Sequence, residues 1–128
     1  MLKQATEETI KSWNLNQRGY VAANNLGFFY YEQGDFTQAV DFWRKANLLN
    51  TGDPDCIAGL ALGVFKLEDP QAAVKLLSHA IQLDAHYRDP AYLKQNNDWS
   101  SRAASDLAEI LKLVPATRSD VGSQAALH

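Results

Sequence analysis

Three histidines, one cysteine and fifteen acidic side chains are the groups in this 128-residue chain that could carry acid–base, nucleophilic or metal chemistry. His79, His86 and His128 are scattered along it. None has a His or Cys neighbour at helical spacing, as a zinc or transition-metal site would need. His79 falls on the outer side of a predicted helix and His86 in a loop, so both read as solvated groups. Cys56 lies in the first turn of a predicted helix, where the helix dipole would favour a thiolate. No histidine is placed to activate it, and a small, semi-buried packing residue is the plainer reading. A lone cysteine also excludes an internal disulfide. Gly59 and Gly63 sit inside a helical pattern with nothing like a phosphate-binding loop around them. The acidic residues are dispersed on polar faces, without a carboxylate pair that asks for a mechanism. The expectation is no catalytic residue, no metal and no cofactor.

The bulk properties narrow the partner instead. Twelve basic residues against fifteen acidic give a net charge of −3, with no basic cluster of the kind that displaces phosphate counterions from nucleic acid. No apolar run reaches the length of a secretory leader or a membrane span, so neither nucleic acid nor membrane insertion is expected, and the expected compartment is the cytoplasm. Hydrophobic residues at 46% and charged residues at 21% fit one ordinary globular domain. Helix formers dominate over glycine and proline, which points to an all-α fold.

The chain matches itself at an offset of 34 residues. Leu26 meets Leu60, Gly27 meets Ala61, Tyr31 meets Phe65, Ala39 meets Ala73, Val40 meets Val74, Ala46 meets Ala80 and Leu49 meets Leu83. The matched small residues are places where two helices can approach closely. Each unit reads as two helices. In the first unit, Ala23, Leu26, Gly27 and Tyr30 form one stripe, Gly34 a left-handed stop and Asp35 the next cap. Ala39, Phe42, Trp43, Ala46 and Leu49 form the second stripe. In the second unit the stripes are Ile57, Leu60, Ala61 and Val64, then Ala73, Leu76, Leu77, Ala80 and Ile81. Pro54 and Pro70 open its helices, the latter behind Asp69.

Leu26 with Gly27, Tyr30, then Gly34, Asp35 and Phe36, then Ala39, Trp43 and Ala46, resemble the 34-residue signature of the tetratricopeptide repeat family. The likeness covers residues 20–53 and, with more departures, 54–87. Ala23 and Ile57 stand where the family has a bulky first aromatic, and the late proline is missing at Thr51 and Ala85. The resemblance implies a short right-handed α-solenoid of antiparallel helix pairs that acts as a scaffold for protein binding.

Residues 88–114 open like the second unit, at Asp89 and Pro90, and then lose the register. They read as a divergent capping hairpin. A short helix through Tyr92 and Leu93 stops near Asn96, and a second runs from about Ser100 to Leu113. Ala103, Ala104, Leu107, Ala108 and Leu111 face inward; Arg102, Ser105, Asp106, Glu109 and Lys112 form the polar outer side that a terminal unit needs. Residues 1–19 read as an N-terminal helical or capping segment anchored by Ile10 and Trp13, and residues 115–128 as a disordered tail.

After its core stripe is removed, the helix at 20–33 still carries Val21, Phe28, Phe29 and Tyr31, so more than one side must be covered. In the tetratricopeptide family the first helices line a concave groove. Its positions fall here on Val21, Asn24, Phe28, Tyr31, Glu32, Asp55, Ala58, Leu62, Phe65 and Lys66, with Tyr92, and less directly Asn96, extending the surface. Aromatic walls with amides at the rim suit a peptide or a partner helix. The plain alternative is that Phe28 and Phe65 simply pack between units or against the chain ends. The family's clamp for a terminal carboxylate is not matched, because its positions hold Asn24, Phe28, Gly59, Asp89 and Leu93. The expected function is a non-catalytic adaptor binding a protein or peptide in the groove. The rival readings are a structural or self-associating module, with a homo-oligomer as one form, and a piece of a longer array.

Overall fold

A computed structural model describes residues 19–115. The N-terminal segment, with Ile10 and Trp13, and the tail beyond Pro115 lie outside the described residues. Those described form six α-helices and one 3₁₀ turn, with no strand among them. In chain order these are α1 (Tyr20–Glu32), α2 (Phe36–Leu49), α3 (Pro54–Lys66), α4 (Pro70–Leu83), the 3₁₀ turn (Ala85–Arg88), α5 (Pro90–Asn96) and α6 (Ser101–Leu111).

Local chemistry sets each boundary. Asp35, Asp53, Asp69, Asp84, Asp89 and Ser100 each accept a backbone N–H through the side chain at the start of a helical element, which satisfies a donor the helix leaves open. Pro54, Pro70 and Pro90 follow such caps, where the missing N–H costs nothing. Much of the dispersed acidity is therefore helix punctuation. At the end of α1, Gly34 takes φ 81°. Its N–H donates to the Tyr31 carbonyl at 3.0 Å and the Asp35 N–H to that of Tyr30 at 2.9 Å, a Schellman ending. The same ending closes α3 34 residues later, with Glu68 at φ 67° in the glycine's place.

Helix α1 packs on α2, α3 on α4, and α2 on α3. The fully buried Trp43 of α2 sits at the centre. Its indole lies where a side chain at Gly27 or Gly59 would be: a Cβ on Gly27 would fall 2.6 Å from the ring, and one on Gly59 would also overlap it. A Cβ on Gly63 would lie 2.5 Å from Val40. Close approach to α2 thus needs three glycines from two helices, which explains the small residues where α1 and α3 meet it.

Most of the predicted stripes are buried; Leu76 of α4 is only partly covered, and α1, α2 and α6 show shifts. In α1 the fully buried aromatic is Tyr31, while Tyr30 is half-buried and stacks on Phe42 at 5.5 Å. A helix apolar on nearly all sides does not declare its inner face by period alone. Tyr31 goes inward because its ring meets Phe36 and Trp43 while its hydroxyl finds a carboxylate. In α2, Val40 is buried, Phe42 is partly covered and Leu49 is 36% exposed. In α6, Ile110 is buried with Ala103, Ala104 and Leu107, whereas Ala108 and Leu111 are only partly so.

Helix α6 also differs in where it lies. It packs on α5, α4 and α3, and its side chains reach α1 through Tyr31 and Glu32. Asp106, expected on the polar outer side, points to Tyr31 and Lys66. Residues 97–106 therefore lie across the face of α1 and α3.

Candidate functional site

That face is built around Asp55, one residue after the N1 proline of α3. Its Oδ1 accepts from the Tyr87 hydroxyl at 2.9 Å, the Trp99 indole N–H at 2.9 Å and the Asn97 amide at 3.2 Å. The Asn97 amide is also 3.0 Å from the Tyr87 oxygen. Oδ2 accepts from the Asn24 amide at 2.9 Å, and the Asn24 carbonyl accepts the Trp43 indole N–H at 2.8 Å. One carboxylate thus joins α1, α3, the 3₁₀ turn and the segment entering α6. With three donors on one oxygen and a fourth on the other, it works as an acceptor hub. Burial first, then the Asp55 charge and hydrogen bond, push the Tyr87 phenol well above the ordinary tyrosine range, so the hydroxyl stays a donor.

A second contact set sits at the other end of α1 and α3. The Tyr31 hydroxyl donates to Asp106, and the Lys66 ammonium stands 3.5 Å from the same carboxylate. Burial, with Asp106 adding to it, raises the Tyr31 phenol far above its usual value. Next to it the Ser100 hydroxyl donates to Glu32 at 2.9 Å while accepting the Ala103 N–H at 3.0 Å. The Arg102 guanidinium donates to the Glu32 carbonyl at 3.4 Å. Between the two sets, Phe28 meets Trp43 edge-on at 5.0 Å and Trp99 at 5.2 Å.

The predicted groove residues fall into four groups. Asn24, Phe28, Tyr31, Glu32, Asp55 and Lys66 are brought together and touch residues 97–106 or their anchors. Ala58 and Leu62 are fully buried, and Phe65 packs against the core. Val21 is 55% exposed at the start of α1. Tyr92 stacks on His86 at 3.9 Å, and Asn96 donates to the Tyr92 carbonyl. The sequence reading missed Tyr87, Asn97, Trp99, Ser100 and Asp106 as constituents of this face. Trp99 was the available signal, since a lone indole in the polar run from Asn96 to Ser100 needs both an apolar slot and an acceptor.

Cys56 and His86 each have a local carboxylate partner. Cys56 is fully buried and donates to Asp53 at 3.4 Å. Burial, then the Asp53 charge, push its thiol up, which outweighs the helix dipole and keeps the group protonated. His86 is exposed, with Nδ1 2.8 Å from Asp84, the cap of its own turn. No group of three His, Cys, Asp or Glu side chains among the described residues could hold a metal ion, and no described helix is long and apolar enough to cross a membrane. No protein-family model matches the chain, and no curated protein matches it.

Proposed function

We propose that the protein is a non-catalytic interaction module of the tetratricopeptide type. In this reading residues 20–53 and 54–87 are two repeats of a right-handed α-solenoid, residues 88–114 are a divergent capping hairpin, and the concave face of α1 and α3 holds a segment of a protein partner in the cytoplasm. One observation carries the reading: this face already holds a peptide segment, the chain's own residues 97–106, through an indole, a hydroxyl and a carboxylate. An apolar wall with polar groups at both ends can fix a bound segment in place and in direction.

The test is affinity capture with the whole chain and with Phe28→Ala and Lys66→Glu, helicity being checked by circular dichroism. Partners held by the wild type should be lost by both folded variants. An unchanged set of partners would remove the face from consideration.

A second reading is favoured by a different observation. Leu48, Leu49 and Leu83, near the ends of α2 and α4, are 81%, 36% and 45% exposed. Exposed apolar side chains on equivalent helices suit packing against another copy. Sedimentation over a broad concentration range decides: a constant monomer mass rejects self-association.

A further inference from the structure

The face of α1 and α3 has three anchor points, and residues of the same chain fill all of them. Trp99 lies edge-on to Phe28 at 5.2 Å and donates to Asp55. Ser100 donates to Glu32. Asp106 accepts from Tyr31 and faces Lys66. Trp99 stands just ahead of the Ser100 cap, and Ala103 and Asp106 lie three residues apart on one side of the helix that follows. Leu107 and Ile110 continue that side and are fully buried.

We propose that this face recognises a protein segment in which an aromatic residue stands just before a helix whose first turn carries a small residue and whose second carries a carboxylate beside a large apolar residue, and that residues 99–110 are an intramolecular stand-in that such a segment displaces. The proposal rests on the reading of this face as a binding surface, and adds to it the chemistry of the partner and the way access is controlled.

The anchors make the exchange selective. A segment with an indole and a suitably spaced carboxylate gives Asp55, Tyr31 and Lys66 back the partners they lose. One without them leaves the buried Tyr31 hydroxyl unpaired and takes a partner from Asp55 and Lys66, and a buried unpaired donor is where binding discriminates most strongly. The stand-in is held to α1, α3 and α4 by non-covalent contacts alone. It enters through α5, a helix of seven residues, too short to be stable by itself, and then through Asp98 at φ 58°. Because the competitor is tethered, its effective concentration is high, and free ligand sees an affinity reduced by the open fraction.

The probe is a fluorescein-labelled synthetic peptide with the sequence of residues 97–114, titrated by anisotropy into the intact chain. Ser100→Ala combined with Asp106→Ala removes two anchors and leaves Trp99, Leu107 and Ile110 in place. This variant should bind the peptide at least about tenfold tighter than the wild type, and a peptide with Lys in place of its Asp106-equivalent should bind the variant at least about tenfold weaker. In the wild type, saturating peptide should speed amide exchange in α6 and leave α3 unchanged, a readout that stands even if the variant does not fold. Equal affinity for wild type and variant, or binding without faster exchange in α6, overturns the displacement and leaves the face a binding surface. Binding by neither, with both folded, overturns the displacement and the binding reading together.

Discussion

Replacing Asp55 by asparagine exchanges one carboxylate oxygen for an NH₂ group at nearly constant shape. If the remaining oxygen keeps the Tyr87, Asn97 and Trp99 donors, the new NH₂ faces the Asn24 amide, and two donors oppose each other. Flipping Asn24 moves the conflict to Trp43, whose N–H uses the Asn24 carbonyl and whose side chain is fully buried. Every orientation leaves a buried donor unpaired, at about 1–3 kcal/mol, and turns charge-assisted bonds into neutral ones, at roughly another 1 kcal/mol or more. The expected loss is about 3 kcal/mol, which for a domain of this size lowers Tm by roughly 12–24 °C. Thermal and urea unfolding followed by circular dichroism measure it. The same wiring predicts a rescue. With Asn24→Asp added, the new carboxylate at position 24 accepts from both Trp43 and the amide introduced at position 55, and every donor has a partner again. The double variant should recover at least about 1 kcal/mol over Asp55→Asn, while Asn24→Asp alone, which sets two carboxylates face to face, should be destabilised. A double variant no more stable than Asp55→Asn, or a single Asp55→Asn variant within about 0.5 kcal/mol of wild type, would refute the network as drawn.

Gly59→Ala drives a methyl into the Trp43 indole and should cost about 1–3 kcal/mol by overpacking. Gly34→Ala meets open space at φ 81° and should cost only about 1 kcal/mol of backbone strain; urea midpoints separate the two. Glu68→Gly removes a left-handed non-glycine residue at φ 67° and should raise the urea midpoint, by about 0.5–1 kcal/mol in stability. The alkaline limb follows from the phenols. Tyr31 and Tyr87 are raised above their ordinary 10.0, so above that pH the unfolded chain has lost protons that the folded chain still holds. Their contribution to stability is therefore complete below about pH 10 and falls as pH rises beyond it, by about 1.4 kcal/mol per pH unit for each phenol. Urea midpoints between about pH 8 and 11 measure the fall, and Tyr31→Phe should make it shallower.

Local signals in the sequence located most of the helices. Each capping aspartate and first-turn proline acts within a few residues, and Gly34 marks its turn through its own φ, so these features are legible one segment at a time. The matched small residues were legible as close-approach sites, although nothing local said that Gly27, Gly59 and Gly63 all border the side chains of one helix. The choice between Tyr30 and Tyr31 was not legible. Both are aromatic and adjacent, and the decision was made by a carboxylate 75 residues away. Asp55 was named as a groove position through the family resemblance alone, and its role as an acceptor hub was hidden for the same reason, since its donors lie 31 to 44 residues distant. The path of α6 was the largest miss, since its apolar stripe says that it packs without saying on which helices.

The apolar stripe of α6 does not by itself fix where that helix stops along the face. A slip of three residues would put Ile110 in the place of Leu107 and Glu109 in that of Asp106, preserving both the buried bulk and the charge opposite Lys66. Arg102 would then occupy the place of Trp99, beside the Asp55 carboxylate, an exchange that Coulomb attraction alone does not forbid. What forbids it is shape and hydrogen bonding. The slot beside Phe28 is lined by aromatic edges that suit a flat indole, and Asn97 bonds Asp55 and Tyr87 only in the observed register. Hydrophobic contact therefore sets how tightly residues 99–110 are held, and the polar contacts set where. A competing segment would meet the same two demands. Apolar bulk would let it compete, but only an indole with a carboxylate seven residues on would satisfy Asp55, Tyr31 and Lys66 at once.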